Sequence, residues 1–164
     1  MSARFRLSDP VHLLALGLGS GLSPWAPGTA GTFAAIPLFA LLLLLPLPLY
    51  LAATLLAAVA GVAICGRASA DVGVHDHPAI VWDEIAGFLV AALPLAAGAW
   101  AFHPVVDVAL VLALFRLLDA AKPGPIGWLE RRLDGGTGIM ADDLAAGLGV
   151  AVLWWGVAAL LGGG

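Results

Sequence analysis

The sequence predicts an all-α protein: a polytopic membrane bundle of about five apolar helices, N-terminus cytoplasmic, with a polar site on the cytoplasmic face. Three observations predict it. The 164 residues are 62 % hydrophobic and 11 % charged, with a mean hydropathy of +1.03. A soluble domain averages roughly 25 % charged residues, so this chain has too few to cover a globular surface. Its apolar residues run in long segments divided by proline, glycine and charge. Fourteen of its eighteen charged residues fall in two windows, 67–84 and 116–143. The length suits one domain, residues 1–164.

Residues 11–22 are apolar but short. A membrane helix needs ~20 residues, with ~17 as a lower limit, so this segment is expected at the interface or packed under the bundle. Segments 33–45 and 49–65 follow, divided by Pro46-Leu47-Pro48. Proline disfavours helix at its own position and at the one before it, and two of them favour a hairpin over one long kinked helix. The third, fourth and fifth segments are 85–102, 105–118 and 144–161. Several are short, so their helices must extend into flanking polar residues. With five spans, residues 1–28, 66–84 and 119–143 share the inner side. Arg4, Arg6, Arg67, Lys122, Arg131 and Arg132 then all lie inside, with Arg116 at the inner end of its helix. The outer turns near 46–48 and 98–104 carry no Lys or Arg. The positive-inside rule expects this distribution.

Several function classes drop out. The net charge is −4 and no basic stripe is present, which argues against nucleic-acid binding. The lone Cys65 sits in an apolar run and excludes a disulfide or zinc framework. Arg4 and Arg6 precede no compact apolar region with a small-residue cleavage site, so no cleaved signal peptide is expected.

The charged windows hold the candidate chemistry. Asp83-Glu84 and Asp142-Asp143 are each expected to open a helix, and each is followed by a glycine, Gly87 or Gly147, that lets another helix approach closely. Four carboxylates at neighbouring helix starts repel one another unless a cation sits among them. Hard oxygen donors without cysteine suit Mg²⁺. A single doublet would be ordinary N-terminal capping; two on the same side favour the metal. His75-Asp76-His77 offers a metal ligand, an acid or base, or a polar turn before Pro78; zinc lacks a third ligand of matching softness. Arg116 and Asp119 are i, i+3 and share a helix face. They form either a snorkelling pair or, with Lys122, a phosphate clamp. Arg131 and Arg132 are expected to face anionic lipid head groups. The Gly-rich stretch 17–32 (GLGSGLSPWAPGTAGT) is read as a loop able to cradle phosphate on backbone N–H groups. It lacks a P-loop lysine. Gly135-Gly136-Thr137-Gly138 is read as a second flexible segment. His12, His103 and Asp107 stand apart, Asp107 as an interfacial cap.

Four ordered motifs carry a resemblance: GLGSGLSPWAPGTAGT (17–32), GVHDHPAIVWDEIAG (73–87), FRLLDAAKPGPI (115–126) and GGTGIMADDLAAG (135–147). Together the chain resembles the phosphatidylglycerophosphatase A family of bacterial inner-membrane lipid phosphatases, from about Pro10 to Gly149. The resemblance implies an all-α fold and Mg²⁺-dependent removal of the terminal phosphate of phosphatidylglycerophosphate at the inner membrane. Some relatives of that family are soluble, so some apolar segments here are open to packing on one another instead of on lipid. On this reading Mg²⁺ sits among Asp83, Glu84, Asp142 and Asp143. Arg116 and Lys122 hold the phosphate, with Ser20, Thr29 and Thr32 of the Gly-rich stretch nearby. Asp83, Asp119, Asp76 and His77 supply catalytic or orienting groups. The competing class is a non-enzymatic small membrane transporter or ion-binding helical bundle, which needs charge along the middle of its helices; here charge gathers at one surface.

Overall fold

A computed structural model of the chain describes residues 4–124, 126, 128 and 132–161. All regular structure among these residues is helical. The helices are α1 (Pro10–Ala15), a 3₁₀ segment (Gly17–Leu22), α2 (Pro27–Leu42), α3 (Leu47–Val72), α4 (Trp82–Ala91), α5 (Leu93–Ala96), α6 (Pro104–Ala121) and α7 (Gly135–Leu161).

The short helix α4 is the hub. Every residue from Ile85 to Ala91 is buried, as expected of a helix that is apolar all round. Helices α2, α3, α6 and α7 all pack on it. Its neighbours anchor to it or to each other through side chains that donate to helix carbonyls. Tyr50 Oη donates to the Leu89 carbonyl at 2.8 Å and Trp82 Nε1 to that of Ala57 at 3.0 Å. The core around it holds Phe39, Phe88, Phe115 and Trp154, each at most 2 % exposed.

Helices α4 and α7 cross at two glycines. A Cβ on Gly147 would lie 2.4 Å from the Gly87 carbonyl oxygen, and one on Gly87 would lie 2.9 Å from that of Asp143. Backbone-to-backbone contact of this kind needs residues without side chains. It sets Asp83, one turn before Gly87, beside Asp143, one turn before Gly147.

The expected hairpin is present: α2 ends at Leu42 and α3 begins at Leu47, with Pro46 preceding its first residue. The third apolar segment is broken. Pro94 lacks an N–H and disfavours helix at the residue before it, so α4 gives way to the single turn α5. Gly98 then adopts φ +86. The buried Asp107 carboxylate accepts the N–H groups of Ala101 and Phe102 at 2.9 and 3.0 Å. It therefore ties down the preceding loop from inside the protein and is not an interfacial cap. His103 Nδ1 accepts the Val105 N–H at 3.4 Å and caps α6.

Two loop expectations are corrected. Residues 27–32 form the first turns of α2, because Pro27 enters at the helix start, where its missing N–H costs nothing. Gly135–Gly138 are helical too, so α7 begins well before the acidic doublet. Two of these glycines lie against backbone: a Cβ on Gly136 would meet the Val62 carbonyl oxygen, and one on Gly138 the Leu133 carbonyl oxygen at 2.3 Å, whereas Gly135 meets nothing and takes φ +61. Close packing explains glycine at 136 and 138, and left-handed backbone explains it at 135. Asp142 and Asp143 thus sit two turns inside α7, away from the partial positive charge of a helix N-terminus.

Among the described residues, α3 and α7 are the two helices long and apolar enough to cross a membrane, and α2 is a shorter apolar helix. Their apolar surface is not hidden in the bundle: Leu55, Leu56 and Val59 on α3 are 64–69 % exposed, and Val152 and Leu160 on α7 72 % and 86 %. Exposed apolar side chains in this number mark contact with something other than water.

The segment 11–22 forms α1 and the 3₁₀ turn, which pack on α3 and α2. Asp9 caps α1 by accepting the Val11 N–H at 2.9 Å, and Arg67 of α3 reaches Asp9 at 2.8 Å. His12, 1 % exposed, joins α1 to α3. Its Nδ1 accepts the Arg6 N–H at 2.9 Å, which leaves Nε2 to donate to Asp71 at 3.1 Å. Replacing His12 by alanine removes its bonds to the Arg6 N–H and Asp71 and opens a void, so it is expected to cost about 1–3 kcal/mol. Calorimetry should read a lower Tm with turnover per folded molecule unchanged.

Candidate active site

One end of the bundle gathers the charged windows into a cavity of about 320 Å³. Asp83 and Glu84 enter it from the first turn of α4. Arg116, Asp119 and Lys122 come from the last two turns of α6 and just beyond, and Asp142 and Asp143 from α7. Asp76 and Pro78 close one wall, and Ala26, Pro27 and Gly28 at the start of α2 another.

The cations are tied to the acids. The Arg116 guanidinium meets the Asp119 carboxylate through Nη1 and lies 3.6 Å from Glu84 Oε1. Lys122 Nζ donates to Asp142 Oδ2 at 2.6 Å. Lys122 ends α6 with its backbone in the left-handed region, φ 42. Asp76 (φ 48) and Ala26 (φ 43) share that conformation and also line the cavity. Such backbone costs roughly 1–2 kcal/mol per residue for non-glycine side chains. Its concentration at one cavity is a mark of a functional site.

The acids outnumber the cations, and they are out of water. Asp83, Asp142 and Asp143 are each 4 % exposed. Asp83 Oδ1, Glu84 Oε2, Asp142 Oδ1 and Asp143 Oδ1 are buried without a hydrogen-bond partner. Burial, then the charges of Glu84 and Asp143, hold the Asp83 carboxyl well above the usual carboxylate range. Burial also raises Glu84, against the pull of its hydrogen bond with Asp83 and of Arg116. It raises Asp119, against Arg116 and Lys122. Buried, unpaired carboxylates are costly, and a divalent cation relieves that cost. Oxygens of Asp119, Asp142 and Asp143 come within 4.8 Å of one another. Hard oxygen donors at this spacing fit Mg²⁺. Asp119, read from sequence as a catalytic group, thus joins the possible metal ligands.

The remaining expected residues lie elsewhere. Ser20 Oγ donates to the Gly17 carbonyl at 2.9 Å. Thr32 Oγ1 is buried and donates to the Gly28 carbonyl at 2.9 Å inside α2. His77 Nδ1 accepts the Ala79 N–H at 3.1 Å and the ring stacks edge-on with Phe5. None of these, nor Thr29, is among the cavity-lining residues. Arg132 lies over the Trp128 ring at 5.4 Å; Arg131 is outside the described residues.

Sequence reasoning missed Gly28. A Cβ there would lie 2.2 Å from Glu84 Oε1 and 3.0 Å from Arg116 Nη2, so this glycine lets the acid and the guanidinium approach the start of α2. Gly28→Ala is expected to displace both side chains and lower turnover by about tenfold, on the order of 1.4 kcal/mol. The clash is with movable side-chain ends, so the Tm should change little.

A family model described as phosphatidylglycerophosphatase A matches residues 13–158. The chain belongs to the phosphatidylglycerophosphatase A family. Two curated relatives carry that same name. The one from Escherichia coli (strain K12) is 45 % identical over 146 residues, 89 % of this chain and 82 % of the relative. The one from Haemophilus influenzae (strain ATCC 51907 / DSM 11121 / KW20 / Rd) is 41 % identical over 148 residues, 88 % of this chain and 86 % of the relative. No solved structure matches the chain. The region matched to phosphatidylglycerophosphatase A contains all eight charged residues of the cavity.

Proposed function

We propose that the chain is a Mg²⁺-dependent lipid phosphatase that hydrolyses phosphatidylglycerophosphate to phosphatidylglycerol and inorganic phosphate, in phospholipid biosynthesis. The observation that carries this reading is the cavity itself: buried carboxylate oxygens without partners face an arginine and a lysine, in a family named for that activity.

Asp83, Glu84, Asp119, Asp142 and Asp143 would hold the metal. When bound, it supplies charge neutralisation for a dianionic phosphate and activation of water. Arg116 and Lys122 then exchange part of their contact with Asp119 and Asp142 for phosphate oxygens; Arg offers a planar fork and Lys a point charge. The first N–H groups of α2, Gly28 and Thr29, have no side-chain cap, and the helix start favours an anion there. In the hydrolysis a water oxygen bonds to phosphorus, the bond from phosphorus to the glycerol oxygen breaks, and that oxygen takes a proton. Asp76, exposed on the cavity wall, would manage that proton.

The protein is read as multi-pass in the bacterial inner membrane with the site facing the cytoplasm. Support comes from the two long apolar helices, the clustering of cations at one end, and a substrate whose head group lies at the membrane surface. A cysteine at Ala101, in the loop opposite the site, should react with an impermeant label from outside only; labelling from the cytoplasm would break this topology.

The deciding assay is phosphate release from phosphatidylglycerophosphate by the purified protein, with Mg²⁺ and with chelator. Release that needs Mg²⁺ and returns on its addition is the expected result. Release unaffected by chelator would remove the metal, and no release would remove the reading.

A further inference from the structure

A second cavity, about 480 Å³ in volume, lies between α2 and α6 and is lined by apolar residues alone. Its α2 wall is Phe33, Ile36, Phe39 and Ala40, with Leu43 just past the helix; its α6 wall includes Val105, Val108 and Leu112. Trp100 stands at the far end.

Both walls belong to helices whose ends line the charged cavity. On α6, Val105, Val108, Leu112, Arg116 and Asp119 follow i, i+3/i+4 spacing and so form one stripe. Its outer part lines the apolar groove and its inner part the charged site. On α2 the apolar stripe begins five residues after Gly28, a rise of about 7 Å.

We propose that this groove seats an acyl chain of the lipid substrate, with the phosphate at Arg116 and Lys122 and the hydrocarbon running between α2 and α6 toward Trp100. The inference rests on the phosphatase reading above and adds where the lipid tail lies. From Arg116 to Val105 the stripe rises about 16 Å, room for much of a fatty acyl chain. No wall residue carries a hydrogen-bonding group except the Trp100 indole, so the groove selects hydrocarbon over glycerol or head group. A smaller apolar groove of about 250 Å³ lies between α3 and α7. Its α3 wall contributes nothing to the charged cavity, which makes it the control.

Ala40 and Ala109 line the first groove and are exposed, so a larger side chain fills the groove without entering the core. In the full-length protein, Ala40→Trp and Ala109→Trp should raise KM for long-chain phosphatidylglycerophosphate about tenfold. Turnover of a short-chain analogue with the same head group should stay at the wild-type level. Ala58→Trp in the control groove should change neither. Wild-type kinetics on both chain lengths in the groove variants would overturn the proposal. So would equal loss on both chain lengths, or an equal long-chain defect from Ala58→Trp. Seating is read independently of turnover with a long-chain phosphatidylglycerophosphate bearing a photoreactive group at one chain end. It should label the α2 and α6 walls, and labelling confined to α3 would overturn the proposal. Wall labelling without phosphate release would sink the phosphatase reading while leaving the tail site standing.

Discussion

Asp83→Asn and Asp143→Asn should each lower turnover on the order of 10³-fold while making the metal-free protein more stable. Both effects come from the same atoms. Each carboxylate is buried, and one oxygen of each has no partner. Metal-assisted stabilisation of transition-state charge is worth several kcal/mol, and each ~1.4 kcal/mol is tenfold in rate. Without metal the same charge is a liability, so its neutral isostere should gain about 1–2 kcal/mol, or roughly 2–4 °C in Tm per kcal/mol for a chain of this size. Mg²⁺ should then raise the wild-type Tm more than that of either variant, because only the native site binds it. Thermal unfolding of wild type and variants, in chelator and in Mg²⁺, checks this. Variants less stable than wild type in chelator would mean the carboxylates are structurally satisfied and the metal is not needed.

The sign extends to pH. The folded-state affinity of Asp83 for its proton is raised by burial, so the metal-free folded state holds more protons than the unfolded chain. Stability in chelator should therefore fall as pH rises above the ordinary carboxylate range, and be recovered as pH drops back through it. With Mg²⁺ bound, that dependence should flatten.

The second large effect is expected at Gly147. A Cβ there would meet the Gly87 carbonyl oxygen at 2.4 Å and Val90 Cβ at 3.1 Å. The first obstacle is backbone, so the helices must separate. Gly147→Ala should cost about 1–3 kcal/mol, as overpacking does, and Gly147→Leu more. Separating α4 from α7 also parts Asp83 from Asp143, so activity should fall beyond the loss of folded protein. Gly156 on the same helix is the control. A Cβ there meets nothing within 4 Å, and alanine is the better helix former by about 1 kcal/mol. Gly156→Ala should therefore keep activity and hold or raise the Tm. Equal behaviour of the two variants would show that the crossing does not depend on its glycine.

Much of this was legible in the residues. The prolines at 46 and 48 marked the hairpin. The charge windows marked the site, since charge in an apolar chain is expensive to keep without use. The glycines after each acidic doublet marked a close helix approach. Less legible were the bounds of helices rich in glycine. Gly135–Gly138 reads locally as a loop because glycine gains most from an unfolded backbone. Only the carbonyls of Val62 and Leu133, distant or non-helical neighbours, show that a side chain at 136 or 138 has no room. Ser20, Thr32 and His77 looked available for phosphate or proton transfer because a sequence shows donors without their partners. Each is instead bonded to nearby backbone.

By itself the sequence determined the all-helical class, the family, and which ionisable residues had to be accounted for. These follow from composition, periodicity and motif order, all properties of the chain alone. The tertiary structure decided which of those residues meet. It joined Asp119 to Asp142 and Asp143, tied Lys122 to Asp142, and brought Gly28 against Glu84 and Arg116. It also set an apolar groove beside the charged cavity along the stripe of α6. The physical reason is that these are contacts between separate helices. They depend on crossing points a few ångströms wide, set by side chains that are absent.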